Sequence, residues 1–324
     1  MTLTQTATME AIVQKDFGDA NQLKLKRINV PLPTKGKIQI KVHYAAVNPV
    51  DWKIREGLLQ QALPHRFPLI PGWDAAGVVS AIGENVTNFK IGDPVFAYCR
   101  KNVVQWGTYA EYVCVDANHV ALKPDNFTFA EAAAFPLAGL TAWQALFDLA
   151  HLKKGESILI HAGAGGVGSL AIQFAKNKGA HVLATSSKEK HAYLKSLGAD
   201  VTIDYRDPNF IQKIKESFPD GLDVILDTIG GDTYRKSFDY LKKGGRIVSL
   251  LEQPDEKLAK ASQTQAYYLF VTPNGQQLEE IAQLIKNNKI KPITILEMPL
   301  EEAAKAHEIS QSSHTQGKIV LKIK

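Results

Sequence analysis

The chain has 324 residues, 45% hydrophobic and 22% charged, which excludes a wholly disordered polymer and exceeds what one ordinary core uses, so two domains are expected. Lys and Arg (38) outnumber Asp and Glu (33) to leave +5, spread without a basic block, and no nucleic-acid partner is expected. Cys99 and Cys114 are too few for a disulfide framework or a four-thiolate zinc site, and no apolar run reaches the ~18 residues of a membrane-spanning helix.

Residues 1–8 are Thr-rich and read as a frayed extension. The first ten residues lack a charged segment followed by an apolar one, so no secretory signal and a cytoplasmic protein are expected. A first strand is predicted over 9–14. Over 37–45, Ile38, Ile40 and Val42 alternate with Gln39, Lys41 and His43, the period of a half-buried strand. Residues 77–83 and 109–115 are similar short runs. Pro31-Leu32-Pro33, Pro71-Gly72, Gly92-Asp93-Pro94 and Lys123-Pro124-Asp125 punctuate them as turns. Short strands with frequent Gly and Pro predict a barrel-like β unit.

Residues 128–149 are rich in Ala and Leu and predict helix, interrupted at Pro136 and Gly139. Strands are then predicted at 157–161, 181–185, 201–204, 223–227, 246–250 and 267–271, alternating with amphipathic stretches. That rhythm implies a doubly wound parallel sheet. After Thr272-Pro273-Asn274-Gly275 come a helix to about 287, a strand at 293–296, a helix over 301–310 and a last strand at 318–323. This tail leaves the alternation and is placed to complete the N-terminal domain.

Directly after the first strand of the alternation stands His161-Ala162-Gly163-Ala164-Gly165-Gly166-Val167-Gly168. Gly163, Gly165 and Gly168 have the G-x-G-x-x-G spacing: a tight turn, backbone open to a pyrophosphate, and close packing of helix on strand. The helix predicted over 169–178 offers its N-terminal amides and dipole to phosphate. A dinucleotide that prefers a ribose hydroxyl needs an acid at the end of the second strand. Here the sequence reads Ala184-Thr185-Ser186-Ser187-Lys188-Glu189-Lys190, hydroxyls and ammonium groups that suit a 2′-phosphate, so NADPH is expected over NADH. The alternative is that Lys188 and Lys190 are solvated residues opening a helix, with Glu189 paired to a lysine. Nine scattered histidines with no H-x-x-x-H or C-x-x-C pair argue against zinc, and no G-x-S-x-G elbow supports a hydrolase.

These motifs carry a resemblance. Gly72-Trp73-Asp74-Ala75-Ala76-Gly77-Val78-Val79, Ile91-Gly92-Asp93-Pro94-Val95, Gly107-Thr108-Tyr109-Ala110-Glu111-Tyr112, the run from Ala133 to Trp143 and the glycine turn are similar to the medium-chain dehydrogenase/reductase superfamily. The likeness runs from Met9 to the C-terminus and is greatest to its zinc-free quinone oxidoreductase (zeta-crystallin-like) and enone reductase branch. Asn48 and Trp73 stand where the zinc branch carries ligands. The resemblance implies an α/β protein with a GroES-like β-rich catalytic domain from 1–125 and 273–324 around a Rossmann NADPH-binding domain at 126–272. It further implies pyrophosphate contacts at Gly165, Gly166 and Val167, a 2′-phosphate site at Ser186 and Lys190, and Tyr205 flanking the adenosine. Thr141, Leu251, Phe270 and Val271 would line the nicotinamide side, and Gly317 and Lys318 make a late cofactor contact. Ordinary packing is the alternative for Thr141, Leu251 and Phe270, and a surface aromatic for Tyr205.

The implied chemistry is hydride transfer to a quinone or α,β-unsaturated carbonyl, which needs a donor where negative charge develops on oxygen. Asn48 and Lys53, in Asn48-Pro49-Val50-Asp51-Trp52-Lys53, are the catalytic candidates. The quinone reductases usually carry Tyr at the Lys53 position, so this chain is closer to the enone reductases there. An ion pair of Lys53 with Asp51 or Glu56 is the competing reading, and Asp51 is expected as a structural acceptor. The functional alternative is an NADPH-binding redox sensor or scaffold without turnover. The family's habit of joining sheet edges implies a homodimer, with the edge near 267–271.

Overall fold

The computed structural model describes residues 7–313 and 315–323, and residues 1–6 of the Thr-rich start lie outside them. The chain divides into two compact units. One comprises Met1–Leu137, Pro273–Asn287 and Thr294–Lys324; the other comprises Ala138–Thr272 and Asn288–Ile293. Relative to the expected boundaries, residues 126–137 fall in the first unit and 288–293 in the second. No helix among the described residues is long and apolar enough to cross a membrane.

The second unit is a parallel sheet of six strands: β1 Ser157–Ile160, β2 His181–Ser186, β3 Val201–Asp204, β4 Leu222–Asp227, β5 Leu241–Ser249 and β6 Gln265–Tyr268. Their spatial order is β3-β2-β1-β4-β5-β6. The direction of winding therefore reverses between β1 and β4, which opens a crevice beyond the strands' C-terminal ends. Ile158, Leu159, Ile160, Val182, Leu183, Val224 and Ile225 are fully buried, the continuous apolar pattern of a sheet covered on both faces.

Boundaries shift where caps and register decide them. The helix after β1 runs Gly166–Lys178, three residues earlier than predicted, because Gly165 is extended (φ −76°, ψ 175°) and serves as N-cap. Gly179, at φ +87°, ends it in the left-handed conformation. β6 lies at 265–268 rather than 267–271, because Gln265 pairs with Arg246 and Tyr268 with Ser249. The helix predicted over 128–149 is broken into Phe129–Ala133, Pro136–Trp143 and a π-helical turn at Gln144–Leu149. Thr128 and Glu131 start the first piece as a capping box, and Pro136 disfavours helix in the residue before it.

The first unit is built on a seven-stranded sheet ordered Ile295–Pro299, Lys318–Lys322, Lys37–Val47, Asp74–Ile82, Pro94–Tyr98, Val120–Leu122, with Tyr112–Asp116 also paired to Lys37–Val47. The C-terminal strand lies antiparallel to Lys37–Val47, Ile319 opposite Val47, so the tail of the chain completes a sheet begun in its first part. Ile38, Ile40, Val79, Val95, Val113 and Leu321 form its core, each burial contributing ~1.5–3 kcal/mol before entropy. The strands Lys24–Asn29, His65–Ile70 and Val104–Trp106 and the helix Pro49–Arg55 were not anticipated. That helix had a legible signal: Asn at the N-cap, Pro at the first position and Asp at the third.

Candidate active site

Every cofactor position expected in the second unit except Thr141 lies in the glycine turn or at or just beyond the C-terminal end of a strand. The turn follows β1. Gly163 is packed so that a Cβ there would stand 3.0 Å from Ala184 Cβ. A Cβ on Gly168 would stand 2.4 Å from Ala162 O and 2.7 Å from Gly163 Cα, the close helix–turn contact that only glycine permits. A Cβ on Gly165 would meet nothing nearer than Ala162 O at 3.4 Å. Gly165, Gly166 and Val167 are half-buried, and no side chain caps the helix N-terminus at Gly165. The three residues thus present backbone to an incoming group beside a positive helix end. Ala162 takes a left-handed conformation (φ 47°) to make the turn, a backbone strain that a residue with a Cβ rarely bears. These features fit a dinucleotide pyrophosphate.

Beyond β2 and β3 the chain gathers the second group. Ser186 is buried and donates to Ser187 O (2.9 Å), and Tyr205 N donates to Ser186 O (3.3 Å). Residues Lys188–Lys190 form a short 3-10 turn in which Lys188 is exposed and Lys190 half-buried. Tyr205 is largely exposed. Glu189 does not pair with a lysine: both its oxygens accept from Arg206 Nη2, each at 3.1 Å. The last residue of β2 is Ser186 rather than an acid, and Lys188 and Lys190 follow it in the next turn, which fits a 2′-phosphate.

On the other side of the crevice, Asp227 ends β4 and organises the loops. Its Oδ1 accepts from the amides of Ile229 and Gly230 (3.0 Å each), and its Oδ2 from Ser249 Oγ (2.6 Å). Ser249 Oγ in turn accepts from Leu251 N and Glu252 N, which leaves the Leu251 side chain exposed beyond β5. Phe270 is partly exposed and Val271 buried after β6, and Thr141 is buried on the Pro136–Trp143 helix. His161, which opens the glycine turn, is sealed against Ser237 and Thr185, and burial pushes its pKa down to about 4.

In the first unit one catalytic candidate, Asn48, stands in a buried polar network. Asn48 Nδ2 donates to Asp74 Oδ2 (2.9 Å), and Lys318 Nζ donates to Asn48 Oδ1 (2.5 Å) and Val47 O (2.8 Å). Lys318 Nζ also lies 3.7 Å from Asp74 Oδ2, and Leu137 N donates to Asp74 Oδ1 (2.8 Å). Asp51 Oδ2 accepts from Asn48 N (2.8 Å) and Tyr109 OH (3.1 Å), the structural acceptor role expected of it. Tyr109 OH is 3.2 Å from His307 Nε2, and His307 Nδ1 is 3.4 Å from Arg55 Nη1. Burial pushes Asp51 up to about 7 and Asp74 up to about 6, although Lys318 and hydrogen bonds to Asn48 pull both down. Desolvation likewise lowers Lys318.

Lys53 forms no ion pair with Asp51 or Glu56. Asp51 is taken as above and Glu56 pairs with Arg55. The Lys53 ammonium lies 5.6 Å from the Trp52 ring centre, and partial burial lowers its pKa. It is a cation without a carboxylate partner among the described residues, able to stabilise negative charge on a substrate oxygen. Gly317 is held at φ +69° just before Lys318, where a Cβ would stand 1.9 Å from Thr294 O. Asp74, Tyr109, Arg206 and His307 were missed as site residues: spacing along the chain does not reveal side chains that meet only after folding. Among the described residues no group of three or more His, Cys, Asp or Glu side chains is placed to hold a metal ion.

Comparison with known proteins bears on these sites. The family model described as alcohol dehydrogenase GroES-like domain matches residues 34–125, and the one described as zinc-binding dehydrogenase matches residues 197–321. The 2-methylene-furan-3-one reductase of Solanum lycopersicum is 38% identical over 97% of this chain and 79% of its own length. An NADPH-dependent alkenal/one oxidoreductase (chloroplastic) of Arabidopsis thaliana matches with the same identity and coverage. The solved structure of the quinone oxidoreductase from Coxiella burnetii superposes with a TM-score of 0.86 at 37% identity, covering 98% of this chain and 100% of that one.

Proposed function

Because the chain belongs to the medium-chain dehydrogenase/reductase superfamily, in its quinone oxidoreductase and enone reductase branch, we propose that it is a zinc-free, NADPH-dependent reductase of quinones or α,β-unsaturated carbonyls. The observation that carries this reading is the glycine turn at the β1/β4 reversal, with Ser186 and Lys190 at the β2 end in place of an acid. NADPH, when bound, supplies a hydride to an electron-poor carbon.

The chain's own residues do the rest. Gly165, Gly166 and Val167 receive the pyrophosphate, Ser186 and Lys190 the 2′-phosphate, and Tyr205 flanks the adenosine. Thr141, Leu251, Phe270 and Val271 shape the nicotinamide side. Lys53 places positive charge at the substrate oxygen, where a desolvated cation acts more strongly than in water. Asn48 is held by Asp74 and Lys318 with one amide hydrogen uncommitted to that pair, a second donor for the same oxygen. Gly317 fixes the backbone that delivers Lys318 to Asn48.

The protein is proposed to be a cytoplasmic homodimer. β6 forms one edge of its sheet, which supports edge-to-edge pairing, and the free Cys99 and Cys114 suit a reducing compartment. Stopped-flow oxidation of NADPH in the presence of alkenals, enones and quinones tests the activity. Turnover with at least one class is expected, and no turnover with any would refute it.

A further inference from the structure

We propose that Arg206 determines the preference for NADPH by neutralising two carboxylates, Glu189 and Asp204, that would otherwise oppose a 2′-phosphate bound at Ser186 and Lys190. The inference rests on the NADPH reading above and adds a residue to it.

The geometry is local and fully specified. Asp204 closes β3, and Glu189 lies in the turn between the two lysines that follow β2. Arg206 reaches both. Its Nη2 is 3.1 Å from each Glu189 oxygen and 3.1 Å from Asp204 Oδ2, and its Nε and backbone N donate to Asp204 Oδ1 at 3.1 and 2.9 Å. Asp204 Oδ2 also accepts from Lys188 N (3.2 Å), which fastens the lysine-bearing turn to the end of β3.

Both acids stay ionised at neutral pH. Glu189 is held down to about 2 by its own backbone amide, the Ser187 hydroxyl and Arg206, and Asp204 to about 2 by Arg206 first. A phosphate monoester carrying roughly −1.5 to −2 at pH 7 would therefore approach two fixed carboxylates, because Asp204 is the ladder partner of Ser186 and Glu189 is the chain neighbour of Lys190. Lys188 and Lys190 alone only cancel those two charges. Arg206 turns the balance positive, and it does so without needing to touch the ligand. A ribose hydroxyl carries no charge and is indifferent to the balance, so the effect is specific to the phosphorylated dinucleotide.

The test is equilibrium fluorescence titration with NADPH and NADH of the full chain and of three variants: Arg206→Gln, Arg206→Lys, and Arg206→Gln combined with Glu189→Gln. Arg206→Gln is expected to raise the NADPH Kd about tenfold or more while the NADH Kd stays within about twofold. Arg206→Lys retains NADPH binding within about threefold, and adding Glu189→Gln to Arg206→Gln recovers most of the loss. Equal weakening of both dinucleotides would assign Arg206 a structural role and overturn the inference. Loss without recovery on removing Glu189 would make Arg206 a direct phosphate ligand and overturn it too, as would an unchanged NADPH Kd. Wild-type protein that binds NADH as tightly as NADPH would instead remove the cofactor reading itself, a separate outcome visible before any variant is made.

Discussion

A single methyl group, added at Gly165 or at Gly168, separates dinucleotide binding from folding within one turn. At Gly168 the new Cβ would lie 2.4 Å from Ala162 O, 2.7 Å from Gly163 Cα and 3.0 Å from Gly163 C, all backbone, so the helix must move off the turn. Such overpacking costs ~1–3 kcal/mol, offset by the ~1 kcal/mol by which alanine exceeds glycine within a helix. A net loss of up to about 2 kcal/mol is expected for Gly168→Ala, together with weaker NADPH binding from the displaced turn. At Gly165 the nearest atom is 3.4 Å away and the backbone, at φ −76°, suits alanine. Loss of the glycine N-cap costs at most ~1 kcal/mol. The same methyl, however, stands where the pyrophosphate must approach the amides of Gly166 and Val167. Gly165→Ala should therefore keep its urea midpoint close to wild type while its NADPH Kd rises tenfold or more, equivalent to ~1.4 kcal/mol. Urea unfolding and fluorescence titration measure the two quantities. Wild-type NADPH affinity in Gly165→Ala would refute the reasoning, and so would unfolding as severe as that of Gly168→Ala.

Lys53→Ala should lower kcat at least 100-fold with NADPH affinity unchanged, the size of loss seen for a donor acting on developing charge; unchanged turnover removes Lys53 from the chemistry. Because burial lowers the Lys53 pKa, the charged form is lost as pH rises through a value below the ordinary lysine range. An alkaline fall in kcat is expected there, and its persistence in Lys53→Ala would assign it elsewhere. Lys190→Ala should raise the NADPH Kd about tenfold and leave NADH within about twofold, with titration again the measure. Lys318→Met leaves Asp74 buried without its cation and should cost ~3–5 kcal/mol in denaturant unfolding; a change below ~1 kcal/mol would show that the network contributes little.

The parallel sheet was legible because its strands are short apolar runs separated by amphipathic stretches. The dinucleotide site was legible because its chemistry lies in consecutive residues, Gly163 to Gly168 and Ser186 to Lys190. What escaped the sequence depends on pairing across long separations. The bond from Lys318 to Asn48 joins residues 270 positions apart, and that from Tyr109 to His307 joins residues 198 apart. Nothing local marks such partners. Strand Lys24–Asn29 is mostly exposed and charged, so it has no apolar alternation to betray it, and its pairing with Thr8–Val13 makes it a strand. Arg206 likewise has no local mark, because Glu189 comes to it from 17 positions away.

The most direct test of the account is a side-by-side assay of NADPH and NADH oxidation by the purified protein with a panel of enones, alkenals and quinones. The account predicts turnover with at least one of these classes, with kcat/KM for NADPH exceeding that for NADH by about tenfold or more. Binding of NADPH without oxidation in the presence of any acceptor would contradict it.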